Sequence, residues 1–409
     1  MQYLIIGAGP AGVNAAESLR KRAPDATIRI IGDEPEPPYS RMAIPYLLMD
    51  RIKEQGTHIR ERADHFDTLG IEVERGRVAR VDGSAHEVVL ENGNKQGYDR
   101  LLIATGSSPA LPPLPGIDGP NVSTCWTLAD ARLIHEKARP GSHVALIGAG
   151  FIGSIILEAL GLRGVRLSVI EQGERMVPRM MGPQAGGLLQ RWCESKGVDV
   201  HTGVAVERIE DNGVHLADGS IIDADLVISA TGVRPNVAFL DGSGVKVEQG
   251  VMIDRHFRTS VADIYAAGDV AQGLDFCTGE YAVHAIQPTA SDHGHLAAAN
   301  MGGAEARYEG SMNMNVLDTL GLLSCSFGSW QGVEGGEHAE LYAPDDFRYL
   351  SLQFDEDRLI GANAVGLSQH VGILRGLIQR RTPLGVWKQR LQHDPTRLME
   401  AYLATTQVL

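Results

Sequence analysis

The chain has 409 residues, of which 43% are apolar, and carries a formal net charge of −14 from 37 basic and 51 acidic side chains. A chain of this length is expected to form two or three domains with ample cores. The acidic balance and the lack of a basic run argue against nucleic acid and anionic membranes as partners. No apolar run approaches the roughly 20 residues of a membrane span, and no charged leader precedes the first predicted strand. We therefore expect a cytoplasmic protein.

The chain opens with a strand, a glycine-rich turn and a helix. Residues 3–6 are the predicted strand, and the turn is Gly7-Ala8-Gly9-Pro10-Ala11-Gly12. A second turn of the same form, Gly148-Ala149-Gly150-Phe151-Ile152-Gly153, follows another apolar strand about 140 positions later. In such turns the first glycine makes the bend, the second admits a pyrophosphate and the third lets helix pack on strand. The helix N-terminus offers N–H groups to the phosphates. Two dinucleotide sites are therefore predicted.

An acid follows each turn by about twenty residues, where a carboxylate can accept hydrogen bonds from a ribose. The second predicted strand ends at Asp33 and Glu34, and the strand after the second turn ends at Glu171. No arginine or lysine follows Glu171 until Arg175. Because a carboxylate repels a 2′-phosphate, the second site is predicted to prefer NAD(H) to NADP(H). The acids also disfavour the alternative that both turns merely connect strands.

Cysteine and histidine spacing predicts neither a metal site nor a thiol centre. The four cysteines lie at least 48 residues apart, too far for a close ligand set or a redox disulfide. They are Cys125, Cys193, Cys277 and Cys325. His293-Gly294-His295 is the nearest approach to a cluster, and we interpret it as surface residues of a helix rather than metal ligands.

Three further predicted strands end in loops that contain glycine: Ala104-Thr105-Gly106, Ala230-Thr231-Gly232 and Gly268-Asp269. With the two turns, and in this order, these elements resemble the flavoprotein reductases of the pyridine nucleotide-disulfide oxidoreductase class over essentially the whole chain. The resemblance implies FAD in the first site and a transient NAD(H) in the second.

The resemblance also implies roles for individual residues. Asp269 would bind the ribityl chain of FAD, Asp33 or Glu34 its ribose, Arg41 its pyrophosphate, and the backbone near Val78 its adenine. The FAD contacts so implied are Gly7, Gly9, Pro10, Ala11, Gly12, Asp33, Glu34, Arg41, Val78, Ala104, Thr105, Gly106, Asp269, Gln287 and Pro288. The NAD contacts so implied are Gly148, Gly150, Phe151, Ile152, Gly153, Glu171 and Gly232.

The predicted fold is α/β, with two Rossmann-like dinucleotide-binding domains and a C-terminal α+β interface domain. Residues 1–111 and 241–303 would form the FAD domain, which residues 112–240 interrupt as an inserted NAD domain. Residues 304–409 carry no nucleotide signature and would form the interface domain.

Two patterns support the α+β class of this last domain. Residues 349–354 and 358–365 alternate apolar and polar around three acids, which predicts a hairpin. Leu374, Leu377 and Ile378 fall at helical spacing.

The residues implied to surround the flavin depart from two branches of the family. Met42 stands where the peroxidase and CoA-disulfide reductase branch has a cysteine, so thiol chemistry at the flavin is not expected. Tyr46 and Ile155 stand where oxygenase-coupled ferredoxin reductases have a lysine–glutamate pair. No side chain is therefore predicted to be catalytic, and the chemistry is assigned to the flavin, with Tyr46 and Ile155 in its environment.

Without a thiol relay, the reduced flavin is expected to pass electrons to another protein. A flavin takes electrons in pairs and releases them singly, which suits an iron–sulfur acceptor, and the cysteines here hold no cluster. Residues 38–43, 125–131 and 175–181 look like segments of the flavin subunits of phenylglyoxylate dehydrogenase and tungsten-dependent aldehyde oxidoreductase complexes. That resemblance implies an NAD-coupling subunit, with an iron–sulfur subunit and a substrate-oxidising subunit as partners.

Two alternatives remain open at this point. A free-standing NADH-dependent ferredoxin or rubredoxin reductase would have the same two sites. A non-catalytic flavoprotein, in which nucleotide occupancy controls docking, is disfavoured by the intact second turn and Glu171.

Overall fold

The computed structural model describes residues 1–211, 213–367, 369 and 371–406. The chain forms two compact units. The first unit comprises Met1–Ala43, Ile52–Ser108 and Val233–Ser311, and the second comprises Ile44–Arg51, Pro109–Gly232 and the described residues from Met312 onward. The predicted division into three domains, with its bounds, stays a prediction.

Residues 1–109 contain eight strands and three α-helices. In chain order they are β1 (Gln2–Ile6), α1 (Pro10–Arg22), β2 (Thr27–Gly32), α2 (Ile44–Leu48), α3 (His65–Thr68), β3 (Ile71–Arg75), β4 (Val78–Asp82), β5 (Glu87–Leu90), β6 (Lys95–Gly97), β7 (Arg100–Ile103) and β8 (Ser107–Pro109). The strand, turn and helix predicted at the start of the chain are confirmed.

The next segment repeats the same order around the second turn. Its elements are β9 (Val122–Ser123), α4 (Leu128–Lys137), β10 (His143–Ile147), α5 (Phe151–Leu162), β11 (Arg166–Glu171), α6 (Pro183–Ser195), β12 (Asp199–Thr202), β13 (Val206–Glu210), β14 (Gly213–Leu216), β15 (Ile221–Ile222), β16 (Leu226–Ser229) and β17 (Val233–Pro235).

The remaining elements are β18 (Val251–Met252), β19 (Ile264–Ala266), β20 (Ala271–Leu274), β21 (Tyr281–Val283), α7 (Gln287–Met301), β22 (Met314–Thr319), β23 (Leu322–Gly328), β24 (Glu337–Ala343), β25 (Arg348–Asp355), β26 (Arg358–Val365), α8 (Val371–Gln379), α9 (Val386–His393) and α10 (Leu398–Thr406). Across the described ranges, no helix has both the length and the apolar character needed to cross a membrane.

Each unit contains a five-stranded parallel sheet of the same design. The strand order is β3-β2-β1-β7-β19 in the first unit and β12-β11-β10-β16-β9 in the second. The central strands β1 and β10 are apolar runs whose inner residues are buried, as expected where both faces of a parallel sheet are covered. Ile6 pairs with Ile31, and Ile147 pairs with Ile170, so both glycine turns leave their sheets at the same register. The two Rossmann-like folds are therefore confirmed.

The C-terminal residues add an antiparallel sheet to the second unit, in the order β22-β23-β26-β25-β24. The predicted hairpin is confirmed as β25 and β26, and the predicted helix as α8. Asn363 is a polar residue of β26 that is only 2% exposed. Its side chain donates to the carbonyl of Met180 at 3.0 Å and accepts from the N–H of Gly182 at 3.2 Å. This pair of bonds fixes the start of α6 against the sheet.

One arginine holds α2 in the second unit, although the residues on both sides of α2 belong to the first. Arg163, at the end of α5, donates to the carbonyls of Leu48 at 3.1 Å, Ala138 at 2.9 Å and His135 at 3.0 Å. Its side chain is 11% exposed, so these carbonyls replace water around the guanidinium. The bonds join the ends of α2, α4 and α5, and α2 carries Tyr46.

The interpretation of both histidines in His293-Gly294-His295 as surface residues is wrong for the first. His295 is exposed, but His293 is 2% exposed on the inner side of α7. Helical periodicity explains the error, because residues two positions apart lie about 200° apart around a helix. Burial, followed by the positive charge of His284, lowers the pKa of His293 to about 3.

We expect acid to destabilise the protein through His293. The ring stays neutral in the fold, whereas in the unfolded chain it binds a proton near pH 6.5. The free energy of unfolding therefore falls as the pH drops through that value, by about 1.4 kcal/mol per pH unit until the folded pKa is reached. Urea unfolding of the wild type and of His293→Asn at pH 7.5 and 5.5 should show a smaller loss for the variant. Equal losses in the two proteins would contradict this expectation.

Candidate dinucleotide sites

The first glycine turn joins β1 to α1 with two very close backbone approaches. Gly7 has φ +115°, and a Cβ on it would lie 2.0 Å from the carbonyl oxygen of Ala104. A Cβ on Gly12 would lie 2.0 Å from the carbonyl oxygen of Gly7. A Cβ on Gly9, in contrast, would meet nothing within 4 Å. The fold itself requires Gly7 and Gly12, whereas Gly9 borders open space in which a ligand can approach the backbone.

The second turn repeats this geometry in the second unit. Gly148 has φ +99°, and its Cβ would lie 2.6 Å from the carbonyl oxygen of Ala230. The Cβ of Gly153 would lie 2.1 Å from the carbonyl oxygen of Gly148, and the Cβ of Gly150 would meet nothing within 4 Å. The sequence pattern thus predicts which glycine serves packing and which serves access.

Both helices that follow the turns begin without a side-chain cap. The N-cap residues are Gly9 of α1 and Gly150 of α5, and neither helix has an acidic residue in its first turn. Their backbone angles are nearly the same, with φ −80° and ψ −174° at Gly9 and φ −76° and ψ −164° at Gly150. The first N–H groups and the helix dipole therefore remain available to an anion such as a pyrophosphate.

Glu171, the last residue of β11, is hydrogen-bonded to the second turn. Its Oε2 accepts from the N–H of Ala149 at 2.8 Å, and its Oε1 accepts from the N–H of Gly173 at 2.8 Å. Each carboxylate oxygen keeps a second lone pair, so two ribose hydroxyls can still donate to it. The nearest basic side chain along the loop, Arg175, donates to the carbonyls of Met181 at 3.0 Å and Pro178 at 3.3 Å.

The acids of the two sites occupy different positions on their strands, which the spacing in the sequence does not reveal. Gly32 is the counterpart of Glu171 in β2, since each follows the residue that accepts the N–H of the turn's first glycine. A Cβ on Gly32 would lie 2.9 Å from the Cβ of Ala8, so this position has no room for a side chain. The acids of the first site consequently come one and two residues later, at Asp33 and Glu34.

Asp33 and Glu34 differ in their surroundings. Asp33 is exposed. Glu34 accepts from the Tyr39 hydroxyl at 2.5 Å and forms an ion pair with Arg41 at 2.5 Å, while Arg41 also donates to the Tyr39 hydroxyl at 2.8 Å. Arg41 is thus positioned by Glu34, at the start of the 3-10 turn Arg41–Ala43.

Asp269 is presented by a short 3-10 turn, Gly268–Val270, directly after β19. Its Oδ2 accepts from the hydroxyl of Ser107 at 3.1 Å. Burial raises the pKa of its carboxyl above the ordinary value, although the Ser107 bond and the charge of Arg41 oppose the shift. A desolvated carboxylate with few donors gains from added hydroxyl groups. The site therefore fits the ribityl hydroxyls of the FAD that the resemblance implies.

Asn236 is a residue that sequence reasoning missed. Its side-chain amide donates to the carbonyl of Thr105 at 2.9 Å. Its backbone carbonyl accepts from the Thr105 hydroxyl at 2.9 Å, and its backbone N–H donates to the carbonyl of Gly106 at 3.0 Å. Three bonds thus fix the loop Ala104–Gly106 beside the first turn. Nothing in the sequence pairs residues 131 positions apart.

The other predicted FAD contacts lie at the ends of elements. Gln287 begins α7 and accepts from the Ser40 hydroxyl at 2.5 Å. Pro288 follows it in the first turn of α7 and is exposed. Val78 is half-buried at the first position of β4.

The predicted NAD contacts and the residues assigned to the flavin environment lie in the second unit. Phe151 and Ile152 are half-buried at the start of α5. Gly232 has φ +118°, and its carbonyl accepts from the N–H of Ala110 at 2.9 Å. Tyr46 is 51% exposed on α2, and Ile155 is half-buried on α5.

Three of the four thiols of this chain are poorly suited to redox chemistry. Cys125, Cys193 and Cys325 are buried, and burial raises the pKa of each to about 12. A thiol that does not ionise is a weak nucleophile. Cys277 is half-buried. Within the part of the chain that the structure describes, no group of three His, Cys, Asp or Glu side chains could hold a metal ion.

Comparison with known proteins identifies similar chains. Residues 1–290 match the family model described as pyridine nucleotide-disulphide oxidoreductase. The chain is 28% identical over 414 residues to the NADH-dependent phenylglyoxylate dehydrogenase subunit epsilon of Aromatoleum evansii, covering 99% of this chain and 98% of that protein. It is 29% identical over 409 residues to the ferredoxin–NAD(+) reductase component of the p-cumate 2,3-dioxygenase system of Pseudomonas putida, covering 97% and 96%.

A solved structure shows the same fold. The crystal structure of the covalent putidaredoxin reductase–putidaredoxin complex matches with a TM-score of 0.92 at 23% identity, covering 100% of this chain and 99% of that chain.

We expect Gly9→Ala and Gly12→Ala to separate cofactor binding from folding. The methyl group of Gly9→Ala enters open space, so the stability of the protein without FAD should be unchanged, while FAD binding weakens because the pyrophosphate meets the added Cβ. Gly12→Ala forces a clash inside the turn and should cost about 1 to 3 kcal/mol of stability. Urea unfolding and FAD titration of both variants measure the two effects. The expectation is wrong if Gly9→Ala binds FAD as tightly as the wild type.

Proposed function

This chain belongs to the pyridine nucleotide-disulphide oxidoreductase family, and we propose that it is the NAD(H)-coupling flavin subunit of a multisubunit oxidoreductase. It is an NAD(H)-dependent oxidoreductase with FAD as cofactor. The proposal concerns the protein on the other side of the flavin. The flavin would exchange electrons with iron–sulfur clusters of a partner subunit. The complex would be of the phenylglyoxylate dehydrogenase or tungsten aldehyde oxidoreductase type and would also contain a substrate-oxidising subunit.

The residues of the first unit would bind FAD, which when bound accepts a hydride from NADH and passes electrons onward. Gly9 and the start of α1 would receive the pyrophosphate, with Arg41 adding positive charge. Asp269 would accept hydrogen bonds from the ribityl chain, and Asp33 or Glu34 from the ribose. The fit rests on the open space at Gly9 and on the desolvated carboxylate of Asp269.

The residues of the second unit would bind NAD(H) in the same way. Gly150 would admit the pyrophosphate, and Glu171 would accept from the adenosine ribose through its remaining lone pairs. Arg175 is held by carbonyls of its own loop, so it is not poised to receive a 2′-phosphate. The site therefore favours NADH over NADPH.

The state of the cysteines supports an acceptor outside the chain. A disulfide relay needs an ionisable thiol beside the flavin. Met42 occupies the position at which one branch of the family has a cysteine. Three of the four cysteines are buried thiols with pKa values of about 12. Single-electron transfer to a cluster in another subunit needs no such thiol.

The observation that carries the choice of a complex is the match to the epsilon subunit of phenylglyoxylate dehydrogenase, which spans 99% of this chain and 98% of that subunit. A second candidate, a free-standing ferredoxin reductase, is favoured by the match of similar extent to the p-cumate system component. The two candidates differ in whether the partner stays bound.

Nucleotide choice tests the second site. We expect NADH to reduce the bound FAD at least about tenfold faster than NADPH at equal concentration, because Glu171 accepts two hydroxyls and repels a phosphate. Glu171→Gln should narrow this preference. Stopped-flow bleaching of the flavin with each donor measures both rates.

A neighbouring acid provides the control for this measurement. Glu174 is exposed in the same loop, so Glu174→Gln removes one charge without changing the turn. Equal rates with NADH and NADPH in the wild type, or an equal change in both variants, would exclude the role given to Glu171.

Isolation from the native source tests the partner. We expect the protein to elute from size-exclusion chromatography in 0.5 M salt together with iron-containing subunits in fixed stoichiometry. At this salt concentration the Debye length is about 4 Å, so weak contacts between exposed charges are screened. Iron and tungsten analysis of the peak would identify the type of complex. A chain that elutes alone, and that reduces an added ferredoxin with saturation kinetics, would instead support the free-standing reductase.

A further inference from the structure

We infer that His293 is a positioning residue for the FAD site, whose ring holds the turn that presents Asp269. The inference rests on the proposed role of Asp269 toward FAD. It concerns a side chain that belongs to neither the glycine turns nor the acids, and that lies on α7 in the first unit.

The ring acts on the residue directly before Asp269. His293 Nδ1 lies 3.3 Å from the backbone nitrogen of Gly268, whose N–H donates to it. Gly268 has φ +78°, a conformation that glycine adopts without a Cβ penalty but that still costs conformational entropy to fix. The hydrogen bond to His293 therefore helps to select the backbone direction from which the Asp269 carboxylate projects.

The other ring nitrogen fixes the orientation of His293. Nε2 lies 3.0 Å from the hydroxyl of Tyr308 and 3.2 Å from the hydroxyl of Ser311. The ring packs edge to face against Phe257 at 4.9 Å and Tyr308 at 5.1 Å between centroids. A flip of the ring would put Cδ2 and Cε1 where Nδ1 and Nε2 now lie and would break the hydrogen bonds on both sides, so Nδ1 stays directed at Gly268.

The next residue of α7 connects the same helix to the first glycine turn. A Cβ on Gly294 would lie 2.3 Å from the carbonyl oxygen of Ala11, and a Cβ on Gly268 would lie 3.0 Å from the Cβ of Ala11. The helix α7 is thus in contact with the start of α1 and with the Asp269 turn at successive residues. A displacement at His293 would be transmitted to both.

The protonation state of the ring suits this role. Nδ1 can accept from Gly268 only if the ring is neutral with its proton on Nε2. Burial keeps the ring neutral, with a pKa of about 3. The acceptor therefore persists throughout the physiological pH range.

Two amide variants distinguish the roles of the two ring nitrogens. His293→Asn places an amide oxygen near the position of Nδ1, and His293→Gln places its amide near Nε2 and leaves the Gly268 N–H without an acceptor. We expect the rate of FAD release from the holoenzyme, followed by FAD fluorescence, to rise about tenfold in His293→Gln and to stay close to wild type in His293→Asn. His295→Gln, at an exposed position of the same helix that bonds Ser18, is the matched control and should not change the rate.

A double-mutant cycle with Asp269→Ala tests whether His293 acts through that carboxylate. The expected result is that Asp269→Ala accelerates FAD release and that adding His293→Gln then has little further effect. A full additional effect of His293→Gln in the double variant would overturn the inference. If Asp269→Ala does not change the rate at all, the proposed role of Asp269 fails instead.

The wild-type holoenzyme offers a measurement that does not depend on folding of the variants. In histidine-labelled protein at pH 7, the ¹⁵N spectrum of His293 should show a neutral ring with its proton on Nε2. A proton on Nδ1, or a protonated ring, would overturn the inference because Gly268 would then have no acceptor.

Discussion

In each unit, the first glycine of the turn lies against the carbonyl of a neighbouring strand end with no room for a side chain. At Gly7 and Gly148 a single added carbon would lie 2.0 Å and 2.6 Å from the carbonyls of Ala104 and Ala230. This contact brings the start of a helix over the carboxyl edge of a parallel sheet, where the loops that carry polar groups also end. That one constraint places three features close together: the uncapped start of the helix, the loop after the neighbouring strand and the acid at the end of the next strand.

The two units satisfy the constraint in the same way but place their acids differently. Glu171 lies in the strand and bonds the turn itself, so the acid and the turn form one rigid element before a nucleotide arrives. In the first unit Gly32 takes that position, and Glu34 is bonded by Arg41 and Tyr39 instead. FAD stays bound through many cycles, whereas NAD(H) must leave in every cycle, so the two ligands require different binding by these acids. The difference between the two acid positions is consistent with FAD in the first site and NAD(H) in the second.

Local patterns were sufficient for the strand–turn–helix units at both glycine turns, the hairpin of β25 and β26 and the helix α8, because each depends on residues close together in sequence. The parts that could not be predicted depend on side chains that meet across long separations. Asn236 fixes the loop at Thr105, and His293 fixes the turn at Gly268. Neither has a spacing or a neighbour in the sequence that marks it, and the surface position predicted for His293 is wrong. Arg163 is a third case, since only the fold brings three carbonyls to one guanidinium.

The resemblance to oxygenase-coupled ferredoxin reductases implies a lysine–glutamate pair at the positions of Tyr46 and Ile155, and the packing of the second unit offers a reason why both members would be absent together. Both positions lie on helices of the second unit, α2 and α5, that pack against each other. A lysine or a glutamate alone on these facing helices would leave a charge without its partner, and at the half-buried position of Ile155 such a charge costs desolvation energy. The absence of both the lysine and the glutamate removes that desolvation cost. Three residues beyond the end of α2, Arg51 forms an ion pair with Glu158 of α5 at 3.8 Å, so the attachment of this segment to α5 does not depend on the pair that is absent. Under the proposed assignment of Tyr46 and Ile155 to the flavin environment, that environment would lack the fixed charges of this pair while α2 and α5 stay packed together.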